Sequence, residues 1–240
     1  TYDFSITVDS SDRAYANGLL QSTTQNSDQT ETFHWQMNDP IPTYLVAVAI
    51  APYEEVRMNV DGIPVLLTAL AADTSNLRKS FENLPTCIRT FVSSYGEHTF
   101  DRIGFNTVPF NSGAMEHATN IAYPRYAIAN GDKTSETLFA HELAHHWWGN
   151  TITCKTQEDM WLNEGWASYS ERLFLEAVYG KKAYDDDIED NHHSVLQFAH
   201  VLDEAILPVS GIGHANTYGR HVYDKGADMV HTLRGLMGDQ

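Results

Sequence analysis

Residues 141–145 read His-Glu-Leu-Ala-His, and this pentapeptide constrains the chain more than any other segment. On a helix, residues i and i+4 lie one above the other on the same face, so a helix here stacks two imidazoles one turn apart. The surrounding sequence suits a helix. Leu138, Phe139, Leu143, Ala144 and Trp147 supply apolar packing, and neither Pro nor Gly interrupts before Gly149. Two imidazoles so placed reach a single Zn²⁺ at about 2.0–2.1 Å each. Glu142 adjoins the first histidine and can address a water at the metal. The competing reading is an ordinary helix with two surface or core histidines. With 12 histidines in 240 residues, the pentapeptide alone does not decide between them.

A third donor decides it, because a hydrolytic zinc site needs three protein ligands and an open position. The segment 158–180 is a second long helical stretch, and it contains Glu164 within Trp-Leu-Asn-Glu-Gly-Trp-Ala. Eighteen residues separate His145 from Glu164. A short turn between two helices brings such residues together. Glu164 sits among Trp161, Leu162, Trp166 and Ala167. A lone carboxylate buried there is costly unless it is paired or bound to a metal. The alternative is a half-exposed helix glutamate. The expected ligand set is His141, His145 and Glu164 around one Zn²⁺, with Glu142 as the catalytic base.

The net charge is −17. Nucleic acid is excluded as a natural partner, since phosphate binding needs clustered Lys and Arg. The acidity reads first as solubility and second as a field that favours cationic substrates. The longest apolar run, Tyr44 to Pro52, is too short to span a bilayer. Two cysteines, Cys87 and Cys154, do not make a disulfide framework and leave the compartment open. The chain starts at Thr1 rather than Met, and with its acidity this favours an exported location over a cytoplasmic one.

Strand signals dominate the first half. FSITVDS alternates, Asn17-Gly18 reads as a hairpin turn, 21–32 as a polar loop and 44–53 as a buried strand. Residues 54–70 read as two strands joined by Asp61-Gly62. Apolar spacing then predicts a helix over 76–96, with Pro85 kinking it or lying early in it. Strands are expected at 103–110 and 118–126, and helices at about 135–149, 157–179, 183–199 and 224–237. Strands first and helices later predict an α+β fold with a boundary near residue 55.

His-Glu-x-x-His, eighteen residues, then Glu in WLNEGWA resembles the gluzincin metallopeptidases, and more narrowly the M1 family of zinc aminopeptidases. That family also carries a Gly-Ala-Met-Glu-Asn motif, and this chain has GAMEH at 113–117. Its tyrosine followed by x-Lys-Gly is matched by VYDKGA at 222–227. HWQMNDPIPTYLVAVAIAPY (34–53) resembles the end of the family's N-terminal β domain. The resemblance implies a thermolysin-like catalytic domain over 56–240, incomplete at its C-terminus. Residues 1–55 would be the tail of a β-rich domain.

The resemblance also assigns roles. Tyr223 becomes the hydrogen-bond donor to the developing oxyanion; by sequence alone it is one of 12 tyrosines, best read as packing at a helix start. Glu116 becomes the group that holds the substrate's free α-amine, and Gly113 and Ala114 run beside the peptide as an edge strand. His117 stands where the family usually has Asn, which puts local hydrogen bonds and pH dependence in question. Asp159 fits either a carboxylate behind a zinc-bound histidine or a capping box with Thr156. His146 is expected to face away from the metal, the acidic stretch carrying His192 and His193 to be a solvated face, and residues 211–220 to line the substrate cleft. Two rival functions stay open. A thermolysin-like endopeptidase would not need Glu116, and a catalytically impaired M1-like interaction module would hold no stoichiometric zinc.

Overall fold

The hairpin at Asp61-Gly62 forms as its sequence predicts, in a computed structural model that describes residues 1–201 and 206–238. Asp61 and Gly62 both have positive φ, 52° and 98°. That twist matches the flanking strands, β6 (Tyr53–Val60) and β7 (Ile63–Leu70), which pair antiparallel. Strands β8 (Ile103–Val108) and β9 (Ile121–Pro124) add in parallel, giving the order β6-β7-β8-β9. The fold class is α+β, as the element order predicts.

Upstream, β1 (Tyr2–Asp9), β2 (Arg13–Ala16), β3 (Leu19–Gln25), β4 (Thr30–Met37) and β5 (Val48–Ala51) form two small sheets. Their pairings are β1-β4-β3 and β2-β5. Three expectations are corrected here. Residues 21–32, read as a polar loop, fold as the arms of a β3–β4 hairpin whose outer strand is exposed throughout. Its threonines favour a strand although no alternating apolar face announces one. Residues 44–53 are not one buried strand: a 3₁₀ turn at Thr43–Leu45 precedes a short, half-exposed β5. Asn17-Gly18 makes no hairpin, because β2 and β3 belong to different sheets. The chain crosses between them there, and a Cβ on Gly18 would lie 1.9 Å from the Gln36 carbonyl oxygen.

The helix expected over 76–96 is two helices, α1 (Thr74–Ser80) and α2 (Leu84–Tyr95). Pro85 falls in the first turn of α2, where its missing N–H leaves no bond unmade. Phe81 fills the break and packs on Phe105, Tyr123 and Phe139 at ring separations of 5.0–5.1 Å. The later helices are α3 (Glu136–Ala144), α4 (Trp161–Tyr179), α5 (Lys181–Ser194) and α6 (Asp224–Met237). A π turn over Val195–Ala199 follows α5.

The chain divides into two compact units. The first comprises Thr1–Pro85 and Glu97–His146, the second Thr86–Gly96 and the chain from Trp147 onward. The first unit holds all the sheets and α3. One of its cores gathers Tyr15, Phe33, Trp35, Tyr53 and Leu66, another Met37, Leu45, Phe100 and Ala118. The second unit packs α4, α5 and α6 around Tyr169, Tyr184, Ala227 and Val230. No described helix is long and apolar enough to cross a membrane. Cys87 is buried, Cys154 is half-buried, and no disulfide joins them.

Candidate metal centre and active site

Helix α3 carries the pentapeptide as predicted. Glu136 begins it, accepts a 2.8 Å bond from the Asn83 side chain and places its charge in the first turn, where the helix dipole favours an anion. Phe139, Ala140, Leu143 and Ala144 are fully buried and fix which face points inward. His145 follows the last helical residue yet keeps helical φ and ψ, so the i, i+4 register with His141 survives. The two Nε2 atoms face each other at 3.2 Å.

Glu142 and Glu116 lie beside them. One ligand atom each from Glu116, Glu142 and His145 falls within 4.8 Å of the other two, and all three residues are buried. Two carboxylates that close repel unless positive charge stands nearby. Together with the facing imidazoles they suit a cation, and imidazole nitrogen with carboxylate oxygen is the donor set zinc takes. Tyr123 is part of this environment. Burial, and then the charge of Glu142, push its phenol well above the usual range, so it stays a neutral donor to the Ser135 carbonyl at 3.0 Å.

Glu116 is delivered by an irregular segment. Gly113 turns at φ 63°, Gly113 and Ala114 are accessible, and Met115 pairs antiparallel with Ala122 of β9 through two 3.0 Å bonds. The 113–115 stretch therefore borders the outer strand of the four-stranded sheet, with a single bridge where an edge strand was expected. His117 is half-buried, and burial lowers its pKa while the neighbouring Glu116 charge opposes the shift.

His146 points away from the pair His141–His145. Its Nε2 accepts the Thr119 N–H at 3.3 Å, which leaves the proton on Nδ1 to be donated to His98 Nε2 at 2.8 Å. Burial holds His146 well below its usual pKa and lowers His98 to about 4, so both rings are neutral. Sequence reasoning missed His98, Thr119 and Arg102. No local pattern marks them, because each is defined by long-range partners.

In the second unit, Glu164 is buried in the first turn of α4, and Tyr223 immediately precedes α6. The two helices cross where Gly165 meets Gly226: a Cβ on Gly165 would lie 2.8 Å from the Gly226 Cα. Thr156 makes no cap bond, and Asp159 instead accepts the Ser210 hydroxyl at 2.5 Å. The capping-box alternative for that pair is thereby excluded. Asn163 accepts the Cys154 N–H at 3.0 Å and ties the preceding loop to the start of α4. His192 lies on an exposed face, 3.0 Å from Asp228.

A helix presenting paired histidines with an intervening buried glutamate, on an α+β frame, offers a donor set suited to a metal ion. The sequence profile of the Peptidase family M1 domain matches residues 76–240, and the chain belongs to that family. It is 29% identical to leucine aminopeptidase 2 of Aspergillus terreus, the match covering 100% of this chain and 40% of that protein. It is 27% identical to mouse aminopeptidase B, over 87% of this chain and 33% of that one. The chain thus spans about two fifths of the length of the curated relatives it matches. Among solved structures, an M1 zinc metallopeptidase of Deinococcus radiodurans superposes with TM-score 0.81 at 23% identity, over 99% of this chain and 52% of that one. A mutant of it bound to a Tyr-Ser-Ala substrate gives TM-score 0.84 at 22% identity, with the same coverage. These likenesses show the fold.

Proposed function

We propose that this chain carries the active site of a zinc-dependent aminopeptidase. The observation that carries the reading is the buried grouping of Glu116, Glu142 and His145 beside His141. The ligands would be His141, His145 and Glu164, the last argued from its spacing in the motif and its burial at the start of α4. Zinc held there would supply Lewis acidity toward the scissile carbonyl.

The remaining steps belong to side chains. Glu142 takes a proton from the attacking water and passes it to the departing amine. Its neighbour Tyr123 is locked neutral on Ser135 and does not compete for that proton. Tyr223 donates its hydroxyl hydrogen to the oxyanion as charge develops. Glu116 accepts the substrate's ammonium group, which restricts cleavage to the first peptide bond. Gly113 and Ala114 offer backbone groups beside the peptide. Residues 1–55 are read as the C-terminal part of a β domain and 56–240 as thermolysin-like catalytic domain. The relatives named leucine aminopeptidase 2 and aminopeptidase B support peptides with free N-termini as substrates.

The test compares Leu-Ala-Ala with its N-acetyl form, with and without chelator. The free peptide should be cleaved from its N-terminus, the acetylated one spared, and activity lost on chelation. Comparable cleavage of both peptides would establish the endopeptidase alternative instead. Metal analysis that finds no stoichiometric zinc would favour the impaired module.

A further inference from the structure

Thr119 has φ +61°, in the left-handed region, and it is wholly buried. For a β-branched residue this backbone is a genuine outlier, kept only where surrounding bonds over-determine it. Those bonds are present. The Gly18 N–H donates to Thr119 Oγ1 at 2.7 Å, and the Thr119 N–H donates to His146 Nε2 at 3.3 Å. The flanking residues are held as firmly. Asn17 Nδ2 donates to the Ala118 carbonyl at 2.6 Å, and Asn120 shares a 2.7 Å bond with the buried Asn106. Asn17 is itself pinned by the Leu45 carbonyl and the Ala47 N–H. The buried Arg102 donates to the carbonyls of Ala16 and Gly18 and stacks on Trp35, which fixes the crossing. All of this converges on residues 118–120, two to four positions beyond Glu116.

We propose that Asn17, Gly18 and Thr119 form a clamp that positions Glu116 for the substrate's ammonium group. The inference rests on the reading of Glu116 given above. The Met115–Ala122 bridge anchors the residue before Glu116, and small misplacements of a binding group lose much of its effect. The bonds to Ala118, Thr119 and Asn120 anchor the chain after Glu116, so Glu116 lies between two fixed points. The crossing at Asn17-Gly18, which carries no hairpin, thereby acquires a purpose. Thr119 is a positioning residue and touches no substrate.

The experiment measures binding rather than turnover. Calorimetry with zinc-loaded protein would give the affinity for L-leucine and for N-acetyl-L-leucine in wild type, Glu116→Gln, Thr119→Gly, Thr119→Ser and Asn17→Ala. Glycine adopts positive φ without strain, which offsets part of the cost of leaving the buried Gly18 N–H without its Thr119 Oγ1 acceptor, so Thr119→Gly should stay folded at the temperature of the measurement. It should nevertheless weaken L-leucine binding roughly tenfold or more, approaching Glu116→Gln, while N-acetyl-L-leucine is unaffected. Thr119→Ser, which keeps the Oγ1 acceptor, should restore most of the affinity. Asn17→Ala should follow Thr119→Gly if it remains folded. Wild-type affinity in Thr119→Gly alongside weak binding by Glu116→Gln would overturn the clamp. Wild-type affinity in Glu116→Gln would instead overturn the assignment of Glu116, and the clamp with it.

Discussion

His98 and His146 show how burial alone sets a protonation state. The two rings form one hydrogen-bonded pair, His146 also receives the Thr119 N–H, and the Phe100 ring packs against both. A proton on His146 Nε2 would abolish the acceptor that Thr119 uses. The unfolded chain binds a proton on each imidazole below about pH 6.5. The folded chain refuses it on His98 until about pH 4. Between those values the unfolded state therefore holds more protons, and acidification destabilises the fold. Each differential proton contributes about 1.4 kcal/mol per pH unit. Urea unfolding between pH 5.0 and 6.5, above most carboxylate titration, should show stability falling with pH. His98→Gln, which keeps a polar partner for His146, should remove about one proton's share of that slope. An unchanged slope in the variant would show that His98 is not the group responsible.

At the scale of elements, α4 and α6 depend on a contact without side chains. Glycine in a helix interior costs about 0.5–1 kcal/mol against alanine, so Gly165 and Gly226 need a reason. The reason is proximity: at either position an added Cβ would meet the other glycine's Cα at 2.8 Å. Gly235, also in α6, meets nothing within 4 Å and serves as the control. Gly235→Ala should stabilise by about 0.5–1 kcal/mol through propensity. Gly165→Ala should destabilise by roughly 1–3 kcal/mol, because overpacking a close crossing outweighs that gain. Chemical denaturation of both variants reads the opposite signs, and stabilisation by Gly165→Ala would refute the steric account. These glycines also mark what the sequence made legible. The helices from Glu136 onward, the Asp61-Gly62 hairpin and the spacing of His141, His145 and Glu164 follow from local periodicity and motif. The clamp does not, since Asn17 bonds to Ala118 across 101 positions and Arg102 to Gly18 across 84. The same absence of local signal hid the β3–β4 hairpin, whose strands lack an apolar face, and made Asn17-Gly18 look like an ordinary turn.

At the scale of the whole molecule, charge rather than any single pair decides how the protein answers to salt. With a net charge of −17, compact structure gathers repulsion that the expanded chain relieves. Helix α5 concentrates it, with Asp185, Asp186, Asp187, Glu189 and Asp190 in one stretch. Lys181 and Lys182 pair with Asp185 and Asp186 at i, i+4 spacing, but they neutralise only part of that stretch. Such exposed pairs are worth little and weaken with salt. Arg172 reaches Asp187 at 2.6 Å from a more sheltered position and is screened less. The two effects of salt have opposite sign: screening the net repulsion stabilises, and screening the surface pairs destabilises. The excess of acids over bases makes the first dominate. Raising NaCl from about 10 mM to 300 mM, which shortens the screening length from about 30 Å to below 8 Å, should therefore raise the melting temperature. KCl should act identically, since screening depends on ionic strength and not on the cation. A melting temperature that stays flat or falls with NaCl would mean that the ion pairs outweigh the net field. A rise confined to one of the two salts would point to specific ion binding instead.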